Sequence, residues 1–297
     1  MIGEVLGAMG NYKEALKYQM KYLDLAKEER DQIEEQRALA TIGRTYFCQA
    51  ESISNENDEY KTLLTNAKNS YKKSLILCEQ LTGIGKQELC QMRARLLLNI
   101  GLVQECQHEN DKAVDSIQKA IKLCKEYDIF EDMYRCYSSL GMLYYRQKNT
   151  AKALNLLELA LDVAGRLDDK VELSCETLLN KADVLFSLAD FQRAKQVLRQ
   201  AYKLRTPITA DRQTVERNLK ITVAMCGAQE SLLRIPDTDV AAKKKLYETM
   251  GDGCVAVKNY TAALEYYHKM EAMTEALGEV CQELATVYVS LAQTYRD

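Results

Sequence analysis

The chain has 297 residues, with 2 Pro, 13 Gly and no Trp; 47% are hydrophobic and 28% charged, and 40 Lys+Arg against 43 Asp+Glu give a net charge of −3. So few turn-forming residues exclude an all-β sandwich and leave long helices joined by short loops. The balanced charge removes bulk attraction to nucleic acid or an anionic membrane as the default, so any recognition by charge has to be local.

Self-similarity organises these helices. A small residue is followed nine positions later by an aromatic or polar turn residue and twelve positions later by Ala. In chain order this gives Gly3 with Tyr12 and Ala15, Gly101 with Asn110 and Ala113, Gly141 with Thr150 and Ala153, Ala182 with Phe191 and Ala194, and Gly251 with Tyr260 and Ala263. Each unit predicts a first helix carrying the small residue and a second carrying the Ala, packed closely and antiparallel. In the stretch from Asn259 to Met270, Asn259 is the expected N-cap, and Tyr260, Ala263, Leu264, Tyr267 and Met270 form one apolar stripe. One pair cannot bury its apolar faces alone, so pairs stack.

Three places are irregular. Ile42-Gly43 opens a unit whose Ala67 lies 24 residues on, which predicts an insertion near 52–66 between its helices, centred on the polar run Ser52 to Glu59. Pro207 and Pro236 bracket a stretch predicted as a degenerate helix pair over 211–235. Leu291-Ala292 with Tyr295 opens a last unit, whose helix from Ala285 to Tyr295 lacks a following partner. The expectation is an all-α, right-handed superhelical solenoid of antiparallel helix pairs. It forms one domain over 1–297 of about seven repeats, the first and last truncated.

These motifs, such as Leu140-Gly141 with Tyr144, Ala153 and Ala160, and Met250-Gly251 with Tyr260, Ala263 and Tyr267, resemble the tetratricopeptide repeat. The usual period is about 34 residues, whereas the steps between small residues here are 40, 58, 40, 41, 69 and 41. That spacing is similar to the long-repeat subgroup of Pins-type polarity adaptors and kinesin light chains. The run Glu35 to Tyr46, the acidic insertion after it, and the run Met92 to Val103 resemble more closely the N-terminal repeat region of the Tonsoku-like family. The order of insertion and degenerate stretch is similar too. The resemblance implies an N-terminal stretch of a longer protein that continues into ankyrin repeats and a leucine-rich region, and a start at Ile2-Gly3 inside a first helix agrees with it.

Catalytic chemistry is hard to assemble. His108 and His268 are 160 residues apart and read as a loop residue and a helix-surface residue. The stretch Gly83-Ile-Gly85-Lys86 lacks the spacing of a phosphate loop and reads as a helix-ending turn. The ten Cys are at least 12 residues apart, so no CxxC pair offers zinc or thioredoxin-like chemistry. With no signal-peptide pattern and no bilayer-length apolar run, they read as reduced core residues of a nuclear or cytoplasmic protein. No catalytic residue, metal ligand or cofactor is expected.

The first helices of such a solenoid line its concave face. Helical periodicity turns offsets −6, −3, −2, +1, +4 and +5 from each small residue toward that groove. Offset −2 reads Thr41, Asn99, Ser139, Asn180, Thr249 and Ser290, all short polar side chains where a merely hydrated groove would tolerate Lys and Glu. A hydrogen-bonding ladder along an extended peptide would use such residues, the amides of Asn99 and Asn180 best of all. Early repeats add Arg37, Arg44, Arg95, Arg135 and Arg146, with Glu105 the exception. Later repeats add Glu176, Asp183, Glu248 and Asp252, with Lys245 the exception. An acidic half opposed to Tyr145 and Phe186 would suit a Lys- or Arg-bearing segment; the alternative is that these charges pair between neighbouring helices.

The expected peptide site is therefore Asn99, Glu105, Ser139, Met142, Tyr145, Asn180, Asp183, Phe186, Glu248 and Asp252. The Tonsoku-like resemblance implies that the peptide is the histone H3 N-terminal tail, read with a close-fitting pocket for a small side chain. It places the chain in the nucleus, in chromatin and replication-coupled homologous-recombination DNA repair, with other repair or replication proteins meeting regions outside this stretch. The alternative is a cytoplasmic Pins-type or kinesin-light-chain-like adaptor that takes an acidic or apolar non-histone peptide on its Arg-rich half. Direct nucleic-acid contact through Arg44, Arg95 and Arg135 is the weaker reading, because stacking aromatics are sparse there.

Overall fold

The computed structural model describes residues 2–276 and residue 289; the expected last unit at Leu291-Ala292 and Tyr295, with Ser290 and Cys281, lies outside them. The described residues form thirteen α-helices and no strand. The chain divides into two compact units, 1–147 and 148–297.

The first unit contains α1 (Ile2–Ala8), α2 (Tyr12–Glu28), α3 (Gln32–Glu51), α4 (Asp58–Gln80), α5 (Lys86–Cys106), α6 (Asn110–Glu126) and α7 (Phe130–Arg146). Close packing of each pair comes from the small residue. A methyl group on Gly3 would lie 2.8 Å from Gln19, on Gly43 2.8 Å from the Tyr71 ring, and on Gly101 2.6 Å from Ile117. In every case the residue met stands four positions after the repeat Ala (Ala15, Ala67, Ala113), one turn further along the second helix. The core between pairs is aliphatic, with Leu64, Leu96, Ile100 and Val103 buried around Tyr71.

The insertion is only half a loop. Residues 52–57 are irregular, but α4 starts at Asp58, capped by Asn57 Oδ1 accepting from the Tyr60 backbone N–H, so the remaining extra residues lengthen the helix. The stretch from 58 is rich in helix formers and carries acidic residues Asp58 and Glu59 in its first turn, where the helix dipole favours them.

The second unit contains α8 (Thr150–Ala164), α9 (Lys170–Ser187), α10 (Phe191–Leu204), α11 (Thr209–Leu232), α12 (Val240–Ala256) and α13 (Tyr260–Ala276). The degenerate pair expected over 211–235 is instead the single helix α11. Its buried residues Val215, Asn218, Thr222, Met225 and Cys226 recur at steps of three and four, one uninterrupted face with no turn inside it. Around it, Phe186, Phe191, Leu198, Met225 and Met250 are almost wholly enclosed. Gly251 repeats the close-approach device: a methyl group there would lie 2.4 Å from Tyr267, four positions after Ala263.

Candidate functional site

In the first unit, α3, α5 and α7 present the predicted offsets. Thr41, Arg44 and Asn99 line a recess of about 420 Å³, together with Arg37, Arg95 and Met92. Asn99 is half-buried, and its amide makes no hydrogen bond with a described residue. The Thr41 hydroxyl, by contrast, donates to the Arg37 carbonyl of its own helix, as Thr249 does to Lys245, so these two rungs of the expected ladder have their donors engaged. Ser139, Met142 and Tyr145 are half-buried on α7.

A larger recess of about 560 Å³ lies at the far ends of the same helices, lined by Phe47, Tyr60, Glu105, Cys106, His108 and Arg146 among others. Glu105 belongs to the expected site. Tyr60 does not: it is on a second helix, and the lengthened start of α4 brings it here. Burial first, then the Cys106 thiol, pushes its phenol up to about 12. Burial also raises the carboxyl of Glu51 at the same recess. Phe47, Glu105, Cys106 and Arg146 stand at groove offsets of α3, α5 and α7; Tyr60 lies in the insertion, where the repeat register gives no guide.

The basic half expected of the early repeats is mostly neutralised within the fold. Arg37 pairs with Glu34 at 2.6 Å and approaches Glu88 at 3.8 Å. Arg95 Nε bridges both oxygens of the fully buried Asp132 at 2.9 and 3.0 Å. Arg135 meets Glu131 at 2.6 Å, and Arg146 meets Glu105 at 2.5 Å. Arg44 alone of the five makes no ion pair with a described residue. Arg95 and Arg146 pair between α5 and α7, as the alternative reading has it, while the nearest partners of Arg37 and Arg135 lie on their own helices.

In the second unit, Asn180 on α9 is half-buried, with no amide hydrogen bond to a described residue, while Glu176 and Asp183 on the same helix are exposed, as are Glu248 and Asp252 on α12. Asp183 is the perturbed member. Solvent reaches it, but the surrounding walls displace much of its hydration and push its carboxyl up to about 6; Lys258 and Arg217 offset part of that rise. Asp252 accepts from the Tyr267 hydroxyl at 2.6 Å, which fixes its orientation against α13. Phe186 corrects the expectation: it is 1% exposed, packed in the core instead of lining the groove, and its carbonyl accepts from Asn259 Nδ2. One residue of offset separates it from the exposed face, and the apolar contact wins. Asn259 also caps α13 as expected, accepting from the Ala262 N–H at 3.2 Å.

No group of three or more His, Cys, Asp or Glu among the described residues could hold a metal ion, and no helix there is long and apolar enough to cross a membrane. His108 is exposed in the turn after α5, and His268 is exposed on α13. The nine described Cys are free, seven of them buried, and burial pushes the thiols of Cys78 and Cys175 up to about 11 and that of Cys254 up to about 12, away from the reactive thiolate.

Stacked helix pairs with a groove of short polar and charged side chains define an all-α repeat solenoid of tetratricopeptide type, and tetratricopeptide repeat family models match residues 1–29 and 132–206. Solved structures agree on the fold: apo RapI superposes with a TM-score of 0.58 at 13% identity, covering 99% of this chain and 94% of that one. BtubC from P. vanneervenii gives 0.53 at 14% identity, covering 91% and 93%. Along its whole length the chain resembles a stretch of the Tonsoku-like proteins. It is 39% identical over 300 residues to the Tonsoku-like protein of Drosophila melanogaster and 34% identical over 304 residues to that of Mus musculus. It spans 21% of the length of these relatives. Fold and relatives together support a protein-interaction scaffold.

Proposed function

We propose that this scaffold binds an extended basic peptide, the histone H3 N-terminal tail, and acts in the nucleus in replication-coupled homologous-recombination repair. The observation that carries the peptide class is Asp183: a carboxylate held in walled surroundings on α9, beside the free amide of Asn180 and with Glu176 on the same helix. A carboxylate poorly hydrated before binding loses little more water when a Lys or Arg meets it, so the Coulomb gain is kept. Exposed Glu248 and Asp252 on α12 extend the acidic character of this unit. The identity of the tail and the repair setting rest on the Tonsoku-like resemblance. Pairing of four early arginines leaves less free positive charge for the acidic-peptide adaptor, whose best support is Arg44 in the 420 Å³ recess.

Titration calorimetry with an H3-tail peptide tests this. Asp183→Asn with Asp252→Asn lowers affinity about five- to tenfold and flattens its salt dependence, as loss of two charge contacts requires. Asp111→Asn, an exposed acid on α6, leaves both unchanged. Equal affinity of the double variant and the unaltered chain, or tighter binding of an acidic peptide than of the H3 tail, overturns the reading.

A further inference from the structure

The second unit carries a positive surface that peptide binding does not use. Helix α10 holds Arg193, Lys195, Arg199 and Lys203 and no acidic residue. Its buried face is Phe191, Ala194, Val197, Leu198 and Ala201. At 100° per residue the opposite face is centred on Arg199 and Lys203, one turn apart, and both are exposed. Arg205 then takes a left-handed φ of 52° and ends the helix, and the chain returns as α11 with Arg212 in its first turn. Arg205 and Arg212, with Tyr202, Thr206 and Glu216, line a recess of about 330 Å³.

These cations are clustered and uncompensated. Arg199, Lys203, Arg205 and Arg212 make no ion pair with a described residue, Glu216 on the rim included, whereas Arg193 is tied to its cap Asp190 and Arg37, Arg95, Arg135 and Arg146 are paired. Four unpaired cations at one end of a helix that carries no acidic residue make a local positive field, although the chain as a whole has a net charge of −3. Tyr202 stands among them 54% exposed, a large ring left uncovered beside the recess.

We infer that this surface is a second binding site, for the phosphodiester backbone of single-stranded nucleic acid. Arg205 and Arg212 hold one phosphate at the recess, since two guanidinium forks match phosphate oxygens. Arg199 and Lys203 carry the strand along α10, and Tyr202 stacks a base. An acidic protein segment meets the same cations but offers no flat partner to Tyr202. The whole-chain charge, which pointed away from nucleic acid, averaged this patch out.

Fluorescence anisotropy of the full chain with a labelled oligodeoxythymidine at low salt tests the site independently of the H3-tail reading. The expected result is binding that weakens steeply with salt. Arg205→Glu with Arg212→Glu lowers it at least about tenfold and reduces the salt slope by about 0.7, the value for the one phosphate the pair holds. Tyr202→Ala weakens binding several-fold at unchanged slope, and Asp183→Asn with Asp252→Asn leaves it intact. Circular dichroism shows that each variant keeps its helices. Absence of binding at low salt, unaltered binding by the double Arg variant, or displacement by polyglutamate with no effect of Tyr202→Ala overturns the inference.

Discussion

The turn between the two helices of a repeat is decided by one backbone conformation. Gly10, His108, Lys148, Ala189 and Lys258 all have φ between 52° and 79°, and each stands seven positions after the small residue of its repeat. Around them the chain closes with paired bonds, for example His108 N–H to the Glu105 carbonyl at 2.8 Å and Glu109 N–H to the Gln104 carbonyl at 2.8 Å. Only Gly10 announces this in the sequence; elsewhere the αL cost is overridden by the packing that needs the reversal there. The small residues are the opposite case, legible by spacing and explained by contact. Gly101→Ala places a methyl 2.6 Å from Ile117 Cγ1 and 3.2 Å from the Ala113 carbonyl. Backbone cannot yield as a side-chain tip does, so overpacking of about 3 kcal/mol exceeds the helix-propensity gain of about 1 kcal/mol. Chemical denaturation is expected to show a net loss of about 2 kcal/mol.

Among elements, α11 departs furthest from the repeat. Its sequence lacks the small-residue-to-Ala spacing, and the length available between Pro207 and Pro236 suggested two helices; the tertiary contacts of Val215, Asn218, Thr222 and Met225 on one face make it one. Asn218 and Thr222 are polar members of that buried face, so apolar periodicity alone does not reveal it. The Thr222 hydroxyl is satisfied by the Asn218 carbonyl at 2.6 Å. A single helix makes a definite prediction at Gly227, which is exposed, helical and has no heavy atom within 4 Å of where a methyl would stand. Gly227→Ala raises stability by about 0.5–1 kcal/mol through the backbone entropy removed from the unfolded chain. Were the stretch two helices with a turn near that residue, thermal denaturation of the variant would instead show a loss.

At the scale of the molecule, charge is arranged locally. The first unit pairs Arg37, Arg95, Arg135 and Arg146, and the second leaves acidic α9 and α12 residues exposed and the cations Arg199 and Lys203 of α10 uncompensated. Asp183 shows what an exposed recognition charge does to stability. Its carboxyl titrates at about 6 in the fold against 3.8 ordinarily, so below 3.8 it is neutral in both folded and unfolded chains and exacts no penalty. As pH rises from 3.8 to about 6 the unfolded chain loses the proton first, and folding stability falls; above about 6 the deficit is constant. Asp183→Asn is therefore more stable than the unaltered chain at pH 8 and equal to it below pH 3.8, while peptide affinity of the unaltered chain rises with pH through about 6. Denaturant midpoints across that range check the first statement and calorimetry the second; a variant destabilised at pH 8 would contradict the assigned environment.

The sequence by itself determined the all-α class, the repeat register outside 52–66 and 211–235, the close-approach glycines and the polar character of the first-helix face, because all of these follow from spacing along one chain. Tertiary structure alone decided which charges are free and which side chains reach the surface. Glu105 and Arg146 meet 41 positions apart, Phe186 is drawn into the core, and Tyr60 is carried to a recess by a helix lengthened upstream of its repeat. Each depends on distances between residues far apart in sequence, which periodicity does not encode. For the same reason the uncompensated cations around Arg205 and Arg212 emerge only when the turn between α10 and α11 places them at one recess.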